Sequence, residues 1–568
     1  MGNSQIDYRL KHAKTASQTG YFGVVPRERM DFDTALALLK SRPFDGFLHK
    51  YLLDRLSEMD RETIQQLFAK AENKKDPCFL SIFAEQVIAE SGPSGLKAYF
   101  DDTWTEKIRT ASPLIHIRSA LQPNQRLHRQ WISIFRENIM AHEPLPAPAD
   151  VNLPLICAGE CGFQAHEGPL VSELAKDYQN REEQPDRFSP EKTAREALSG
   201  LERAGVKLGH EMRHQSSLSP FGLLRKWEFF VDVSSGRNLY TLSGEQTSYG
   251  KGLTMEDARA SLTMEIVERC SAFADISPFG APGYANGHQL FHAQYSEFAA
   301  DTVHAVNPEK LALEITYENE PIFWLQGETP GDNGAEKAFV PAQSVFLFCN
   351  LDEPDLFSGL GSTGLASGNT MEQAKIAALL EIIERHQEAT SPFRNTDCFR
   401  LVAGNENISD LLGAYKSYGI NLRFQDLTSK TGIPCCKCFV VDLDGNIQKG
   451  TAASLNARKA ILSAICETTH PFPQGPGTRP DLYERIIVDF DNLPDYSTGN
   501  FRCDLEMLET LLLRNNLRPC YVDLTREDIG IPVVKAVIEG MEILGDFDGF
   551  SRVHPELFSN YLELSGKP

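Results

Sequence analysis

Two stretches of this 568-residue chain repeat one pattern of carboxylates and apolar residues. The first, GKGLTMEDARASLTMEIVER, ends at Arg269, and the second, SGNTMEQAKIAALLEIIER, ends at Arg385. Both contain Glu-x-x-Glu-Arg, and their matching positions keep a constant offset of 116 residues. Packing by itself would preserve the apolar pattern and let the carboxylates change. The match therefore indicates a duplicated unit with a chemical role.

Each repeat predicts a buried helix that carries two carboxylates on one face. Thr254 and Thr370 stand where helix N-caps are expected, three residues before a polar residue of the capping-box kind. The rest of each repeat is mostly apolar, which is typical of a buried helix. Carboxylates one turn apart on such a helix repel each other and lose hydration unless a cation compensates. The four glutamates concerned are Glu265, Glu268, Glu381 and Glu384.

Two interpretations of these glutamates are open. In the first, Arg269 and Arg385 neutralise them as structural ion pairs within each helix. One arginine cannot balance two carboxylates, however. In the second interpretation, the glutamate pairs face each other and hold divalent cations. Several hard oxygen ligands suit Mg²⁺, especially when phosphates complete the coordination shell.

A third, degenerate copy of the repeat occurs in ASLNARKAILSAICETTH. It places Glu467 and His470 at the positions of the two repeat glutamates. Arg458 and Lys459 stand in the first turn of the predicted helix, where cations oppose the helix dipole. They are explained if an anion, most simply a phosphate, lies at this helix start, and equally if they are solvated basic residues. The Glu-x-x-His spacing also raises a carboxylate-bridged di-metal site as an alternative.

Two glycine-rich segments resemble phosphate-binding motifs by their letters but fail in their context. The Gly250-Lys251-Gly252 segment lacks the spacing and the Ser or Thr of a P-loop. The segment Gly359–Gly364 matches GxGxxG, but the predicted helix starts later than a dinucleotide-binding turn requires. A lysine and flexible glycines ahead of a helix can still contact phosphates, so Lys251 remains a candidate for the nucleotide site.

Cysteines in two places could form a zinc site. They are spaced differently from the usual Cys-x-x-Cys pairs, and free cysteines are common in protein cores. We therefore expect buried or incidental thiols rather than a metal centre. The residues are Cys157, Cys161, Cys435, Cys436 and Cys438.

The composition limits the function classes. The chain has 56 Lys and Arg against 78 Asp and Glu, a net charge of −22, which argues against sequence-independent nucleic-acid binding. No apolar run reaches membrane-spanning length, and the first residues lack the apolar segment of a signal peptide. We expect a cytoplasmic protein with mainly reduced thiols, without nucleic-acid or membrane partners.

The pattern along the chain predicts an α+β protein. Residues 1–140 show helical spacing and are predicted to form an all-α region that docks a partner or caps the rest. Residues 141–174 form a proline-rich linker. Residues 175–568 alternate helical and strand-like segments, which predicts one mixed α/β catalytic domain with internal duplication.

The paired helices, the GKG and SGN segments before them, the helix ending in Glu467 and the strand-like PVVKAVIEGME together resemble the YcaO family. The resemblance spans residues 175–545. It implies a YcaO-like fold that binds ATP and Mg²⁺ and phosphorylates a backbone amide oxygen of a peptide or protein. A nucleophile then gives an azoline or, with a sulfur donor, a thioamide, and one branch supports protein methylthiolation. The implied partners are a sulfur donor or a methylthiotransferase, and a homodimer is a candidate assembly.

The resemblance also implies roles for individual residues. Five glutamates become Mg²⁺ ligands: Glu265, Glu268, Glu381, Glu384 and Glu467. Five residues are assigned to the nucleotide site: Lys251, Asn369, Arg385, Thr193 and, as the nearest substitute for a family arginine, Arg458.

The sequence departs from the family pattern at three positions and at its last residues. Gln373 replaces a glutamate, Ser463 stands where an arginine is expected, and His470 stands where glutamine is common. The last residues, YLELSGKP, lack the alternating prolines of azoline-forming members, which favours a thioamide or accessory role. A non-catalytic YcaO-like binding protein is the alternative.

Overall fold

The computed structural model describes residues 5–14, 20–156, 168–181, 183–300, 303–311, 314–331 and 334–564. Its N-terminal region begins with two strands and continues with helices. The elements are β1 (Ile6–Lys14), β2 (Gly20–Pro26), α1 (Phe32–Ser41), α2 (Gly46–Ser57), α3 (Arg61–Lys74), α4 (Pro77–Ser91), α5 (Asp102–Ala111), α6 (His116–Ala120) and α7 (Gln125–Ala141). Aspartate side chains cap the N-termini of α1 to α5, at Asp31, Asp45, Asp60, Asp76 and Asp101.

The mixed helix and sheet fold is confirmed, but the description of residues 1–140 as all-α is wrong at its start. β1 pairs with β2 and then, in parallel, with a strand far along the chain, so that Ile6 lies opposite Tyr240. Tyr8 donates a hydrogen bond to the buried carboxylate of Asp45 at 2.7 Å. The helical periodicity of the following segments carries no information about this distant pairing partner.

The remaining residues alternate helices and strands as expected. The elements up to residue 390 are α8 (Val171–Gln179), α9 (Pro190–Arg203), β3 (Met212–Arg213), β4 (Phe221–Ser235), β5 (Asn238–Gly252), α10 (Met255–Ala272), β6 (Leu290–Ala293), α11 (Tyr295–Ala300), β7 (His304–Ala305), β8 (Ile322–Gly331), β9 (Gly334–Pro341), β10 (Leu365–Ser367) and α12 (Met371–Thr390).

The later elements complete the fold and end in a helix. They are β11 (Cys398–Val402), α13 (Glu406–Ser417), β12 (Arg423–Asp426), β13 (Cys435–Val441), β14 (Ile447–Ala453), α14 (Ala457–Glu467), β15 (Ile486–Asp489), α15 (Phe501–Arg514), β16 (Pro519–Asp523), β17 (Val533–Ile538) and α16 (Pro555–Leu564).

The strands form three sheets that surround the repeat helices. The first has the order β2-β1-β5-β4-β3, the second β10-β17-β16-β8-β9-β7 with β6 beside β8, and the third β14-β13-β12-β11-β15. α10 packs across β4 and β5 of the first sheet, α12 packs on β17 and β10 of the second, and α14 packs on β13 and β14 of the third. Each repeat helix therefore has its own sheet.

The segment around residues 143–156 lies against the end of the chain. Trp131 on α7 is buried between Phe558 and Tyr561 of α16, and its indole N–H donates to the carbonyl of Pro154. The boundaries at 140 and 174 stay a prediction. In the part of the chain that the structure describes, no helix has both the length and the apolarity needed to cross a bilayer.

Candidate nucleotide and metal site

The two repeat helices begin in the same way, which confirms that they are structural equivalents. Thr254 and Thr370 are N-caps with nearly identical backbone angles, and each side chain accepts a hydrogen bond from the backbone N–H three residues later. A Cβ on Gly252 would lie 2.6 Å from the backbone nitrogen of Ala258. A Cβ on its counterpart, Gly368, would meet the equivalent nitrogen at 2.5 Å. Glycine at both positions lets the strand approach the helix closely.

The first glutamate of each repeat is held by a backbone N–H from the strand or loop that precedes its helix. The N–H of Tyr249 donates to Glu265 at 3.1 Å, and the N–H of Gly364 donates to Glu381 at 3.1 Å. Gly364 has a φ of +78°, and a Cβ there would lie 2.4 Å from the carbonyl oxygen of Ala536. The glycine-rich segment 359–364 therefore ends in direct contact with a predicted metal ligand.

Glu268 and Glu381 form an inner pair, with one carboxylate from each repeat. Burial raises the pKa of both, and the charge of Glu381 adds to the rise at Glu268. Lys535, on β17, lowers both pKa values through its charge, and its ammonium donates to the carbonyl of Thr363 at 2.7 Å. Lys535 is almost fully buried, so its cation partly compensates the inner pair.

The other three carboxylates, Glu265, Glu384 and Glu467, form an outer group, in which Glu265 and Glu467 are more exposed than Glu268 and Glu384 is about as buried as Glu268. The charge of Glu467, at the end of α14, raises the pKa of both Glu265 and Glu384 in addition to the effect of burial. Lys251 on β5 donates to Glu467 at 2.5 Å. The third helix thus contributes its glutamate between the two repeats, as the degenerate copy predicts.

Arg385 lies at the edge of the outer group and is half exposed. Its guanidinium is 3.7 Å from Glu384 and 3.8 Å from Glu388, which are longer than hydrogen bonds. Burial raises the pKa of Glu384 to about 8, with three neighbouring carboxylates adding to the shift and Arg385 opposing it. Arg269 is likewise 3.9 Å from Glu265 and 3.6 Å from Glu268. Neither arginine offsets the effect of burial on the pKa values of these glutamates, so ion pairing leaves the cluster partly uncompensated.

The arrangement fits Mg²⁺ that is shared with phosphate. Among the described residues, no three His, Cys, Asp or Glu side chains converge as a preformed metal cage. Mg²⁺ in nucleotide sites is typically held by one or two carboxylates, and phosphate oxygens and water supply the other ligands. Carboxylates whose pKa values are raised by burial, and at three of the four positions also by neighbouring carboxylates, are stabilised by such a cation. The donor set and its electrostatics thus match ATP with Mg²⁺.

Thr193 and Asn369 are brought together beside the start of α12. The hydroxyl of Thr193 donates to the side-chain oxygen of Asn369 at 2.8 Å. Gln373 then accepts from both the backbone and the side-chain N–H groups of Asn369, at 2.8 and 3.0 Å. Gln373, where the family pattern has glutamate, therefore orients a predicted nucleotide-binding residue.

Arg458 lies away from the carboxylates. Its guanidinium is 3.3 Å from Asp495, and Asn456, the N-cap of α14, donates to the same carboxylate. Arg458 and Glu467 are nine residues apart on one helix, which is about 14 Å along its axis. The role of Arg458 in nucleotide binding stays a prediction.

The alternatives built on His470 and on the cysteines gain no support. α14 ends at Glu467, so His470 lies outside the helix, and its two ring nitrogens contact Gln448 and the carbonyl of Pro476. Cys435, Cys436 and Cys438 lie in one strand, where neighbouring side chains point to opposite faces. Cys157 and Cys161 lie outside the described residues.

Sequence reasoning missed Lys535 and Glu388. Lys535 is the charged residue inside the otherwise apolar strand VVKAVI, which was itself a signal. Glu388 follows Glu381 by seven residues on α12 and therefore lies on nearly the same face. It accepts from Lys449 at 2.8 Å and from the hydroxyl of Thr451 at 3.1 Å.

Comparison with known proteins agrees with the geometry. The YcaO family model, described as a cyclodehydratase that binds ATP and Mg²⁺, matches residues 249–474 and 469–542. An uncharacterized protein of Methanothermobacter thermautotrophicus is 30% identical over 333 residues, which cover 52% of this chain and 81% of that protein.

Two solved structures are similar at lower identity. A heterocyclase in complex with substrate and cofactor is 19% identical, with a TM-score of 0.47 over 65% of this chain and 56% of that one. YcaO from Methanopyrus kandleri, bound with AMPPCP and Mg²⁺, is 21% identical, with a TM-score of 0.44 over 62% of this chain and 91% of that one. The family match spans more than half of the sequence and covers both repeats and the third helix. The chain is a member of the YcaO family, whose ligands are ATP and Mg²⁺.

Proposed function

We propose that this protein uses ATP and Mg²⁺ to phosphorylate the backbone amide oxygen of a peptide or protein. The observation that carries the proposal is the electrostatic coupling of glutamates from three helices: burial raises the pKa values of both repeat pairs, and the charge of Glu467 adds to the rise at Glu265 and Glu384. Such a cluster is costly to the free protein and becomes favourable when divalent cations and phosphates are bound.

The residues divide into metal ligands and nucleotide contacts. The inner and outer carboxylates would hold Mg²⁺: Glu265, Glu268, Glu381, Glu384 and Glu467. Bound Mg²⁺ supplies charge neutralisation of the phosphates and aligns the γ-phosphoryl group. Lys251 and Arg385 at the edge of the cluster would contact the phosphates, because both are cations that are not fully buried. Asn369, oriented by Thr193 and Gln373, would contact the nucleotide.

The reaction exchanges the amide oxygen in two steps. The amide oxygen attacks the γ-phosphorus, and ADP leaves. A nucleophile then adds to the amide carbon, and phosphate leaves with the original oxygen. The protein's own contribution is to position the amide and to keep water from the activated carbon.

The nucleophile comes from outside the described part of the site. Two cysteines near the cluster, Cys435 and Cys466, are buried. Burial raises the pKa of both thiols, that of Cys466 to about 11 and that of Cys435 well above the ordinary value. A thiolate is the reactive form, so neither residue is a suitable nucleophile. We therefore propose that a substrate side chain or a separate sulfur donor supplies the attacking atom. With a sulfur donor, the product is a thioamide.

Labelled substrate tests the proposal. A peptide with an ¹⁸O-labelled backbone carbonyl is incubated with the protein, ATP, Mg²⁺ and candidate sulfur donors. We expect the label in phosphate and a product mass that shows sulfur in place of oxygen. Loss of water would indicate an azoline instead. Consumption of ATP with all label retained in the peptide would exclude direct amide phosphorylation.

A non-catalytic binding protein is the second candidate. The specific observation in its favour is that Ser463 replaces an expected arginine and Arg458 is paired with Asp495 instead. This candidate predicts binding of ATP with Mg²⁺ without turnover for any substrate. It would then support a partner such as a methylthiotransferase. The cytoplasmic location and a homodimer also stay predictions.

A further inference from the structure

A row of polar side chains crosses the buried face of the third sheet. Lys437, in the centre of β13, pairs with Gln425 on β12 and with Thr451 on β14, and Gln425 pairs with Cys398 on β11. Directly paired residues on neighbouring strands point to the same face. At most 1% of the surface of Lys437 and of Gln425 is exposed to solvent, so the row lies in the protein interior.

Four polar atoms at this row lack hydrogen-bond partners among the residues that the structure describes. They are Lys437 Nζ, Gln425 Oε1, Arg423 Nε and His142 Nε2. Gln425 uses its amide N–H on the carbonyl of Pro392, which leaves its oxygen free. Buried polar atoms without partners are costly, and several of them together usually indicate a bound water or ion.

The position of His142 follows from its aromatic contacts. Its ring stacks on Phe393 with centroids 3.7 Å apart and meets the edge of Phe439 at 4.5 Å. Phe439 is the cross-strand partner of Arg423 and lies two residues after Lys437. His142 therefore covers the same part of the face as the other three orphan atoms.

The charges at this face are unbalanced. The buried or half-buried cations are Lys437, Lys449, Arg423 and Arg485, and the facing carboxylates are Glu388 and Asp481. Glu388 is bonded to Lys449 at 2.8 Å, and Asp481 is bonded to Arg485 at 2.8 Å. Arg423 Nε is 3.8 Å from Asp481, which is too far for a hydrogen bond. Arg423 therefore has only this longer ion pair with Asp481, and Lys437 has no hydrogen-bonded counter-charge among the described residues.

The protonation of the two side chains nearest the centre allows both to donate. Burial lowers the pKa of Lys437 to about 8, which keeps the ammonium protonated near neutral pH. Burial, with three neighbouring cations, lowers the pKa of His142 to about 2, so the ring is neutral. A neutral imidazole still carries one N–H, which Nε2 can present to an acceptor.

We propose that this face of the third sheet binds a small monovalent inorganic anion of halide size, held by Lys437 Nζ, Arg423 Nε and His142 Nε2. None of these three donor residues is among the residues assigned to ATP or Mg²⁺. Three donors suit a single negative charge, and the full burial of Lys437 and Gln425 favours a small ion.

Bromide is the probe for this site. Crystals of the full chain grown in sodium gluconate are soaked in sodium bromide, and anomalous scattering locates the ion. Melting curves are recorded in the two salts at equal ionic strength. We expect a bromide peak beside Lys437 and a melting temperature that is a few degrees higher in bromide, because an ion that binds the native state stabilises it. A water in place of bromide, with equal melting in both salts, overturns the proposal.

Two variants sharpen the test. Gln425→Glu places a carboxylate directly opposite Lys437 and supplies the negative charge within the chain. This variant should lose the bromide peak and the difference in melting temperature between the two salts. Its melting temperature in gluconate should be at least that of the parent. Lys437→Met should also lose the difference between the salts. The control Lys226→Met removes an exposed lysine of β4 and should keep this difference. A response that persists in Gln425→Glu would place the ion elsewhere and overturn the proposal.

Discussion

Lys251 and Glu467, 216 residues apart, form an ion pair of 2.5 Å that joins the strand before the first repeat helix to the end of the third. The pair closes one side of the carboxylate cluster. Each partner has been assigned to a different ligand, the lysine to phosphate and the glutamate to Mg²⁺. Binding of ATP with Mg²⁺ would therefore replace this contact with two contacts to the ligands.

Removal of Lys251 should weaken nucleotide binding. A hydrogen bond to a charged group contributes about 1.5–3 kcal/mol, so Lys251→Met should raise the Kd for ATP with Mg²⁺ by roughly tenfold or more. Titration calorimetry measures the change. Lys226→Met breaks an exposed pair with Glu245 on the same hairpin and is the matched control. If the two variants bind ATP with Mg²⁺ equally tightly, Lys251 does not contact the nucleotide.

Glu384→Gln should separate metal binding from structural pairing. Because burial raises the pKa of Glu384 to about 8, the native state without metal must hold this carboxyl mainly protonated at neutral pH, and that proton uptake lowers the free energy of unfolding. In Mg²⁺-free buffer, the free energy of unfolding of the variant, measured with urea, should therefore be higher by roughly a few kcal/mol. The variant should also lose affinity for ATP with Mg²⁺. A less stable variant with unchanged affinity would support the ion-pair interpretation. Glu196→Gln, in an exposed pair on α9, should change neither quantity.

The same residue gives a pH dependence with a definite sign. The folded pKa of Glu384, about 8, exceeds its ordinary value of 4.5, so the native state binds more protons between these values. The free energy of unfolding without Mg²⁺ should therefore fall as pH rises through this window, by at most about 1.4 kcal/mol per pH unit. Comparing the parent with Glu384→Gln isolates this slope from other groups. If the free energies of unfolding of the two proteins change with pH in parallel, the raised pKa does not belong to Glu384.

Loss of Lys535 should expose the repulsion within the inner pair. Lys535→Met leaves Glu268 and Glu381 without the buried cation that lowers both of their pKa values. Breaking a buried charge arrangement costs about 3–5 kcal/mol. We expect a loss of that order in chelator and partial recovery with Mg²⁺ and ADP, measured by urea unfolding. The absence of recovery would argue against cation binding at the inner pair.

Deletion of residues 1–149 tests the role of the N-terminal region. β1 supplies a strand to the first sheet, and Arg42 donates to the carbonyl of Leu239 in β5. We therefore expect a fragment of residues 150–568 to be insoluble or to melt much lower, as for a cap. A soluble fragment that binds ATP but no longer engages its substrate would instead establish a separable docking module.

The sequence predicted the repeat helices well because their signals are local. Thr254 and Thr370 mark the helix starts, and the apolar pattern with paired glutamates marks the buried faces. The strand-like segments that predict the alternation in residues 175–568 include WEFFVDV, PIFWLQG, CFVVDLDG, CYVDLT and IPVVKAVIEG, and these lie in β4, β8, β13, β16 and β17. SVFLFCN has the same strand-like pattern, but the prediction of a strand there is wrong, because Phe346 and its neighbours are buried in turns rather than paired.

Features that depend on distant partners could not be predicted. The sequence placed β1 in a helical region, because the strand partner that fixes its conformation, β5, lies more than 200 residues away. The pairing of Arg458 with Asp495 depends on a loop far from the repeat. The orphan atoms around Lys437 result from the meeting of α7, α12 and the third sheet, and local patterns do not record such encounters.

The parallel pairing of β1 with β5 has a consequence for synthesis on the ribosome. The first strand emerges long before residues 238–252 and cannot complete its hydrogen bonds until they follow. Closing so long a loop is slow, and an unpaired strand edge is prone to association with other chains. Nascent β1 should therefore depend on chaperones until the hairpin of β4 and β5 leaves the exit tunnel.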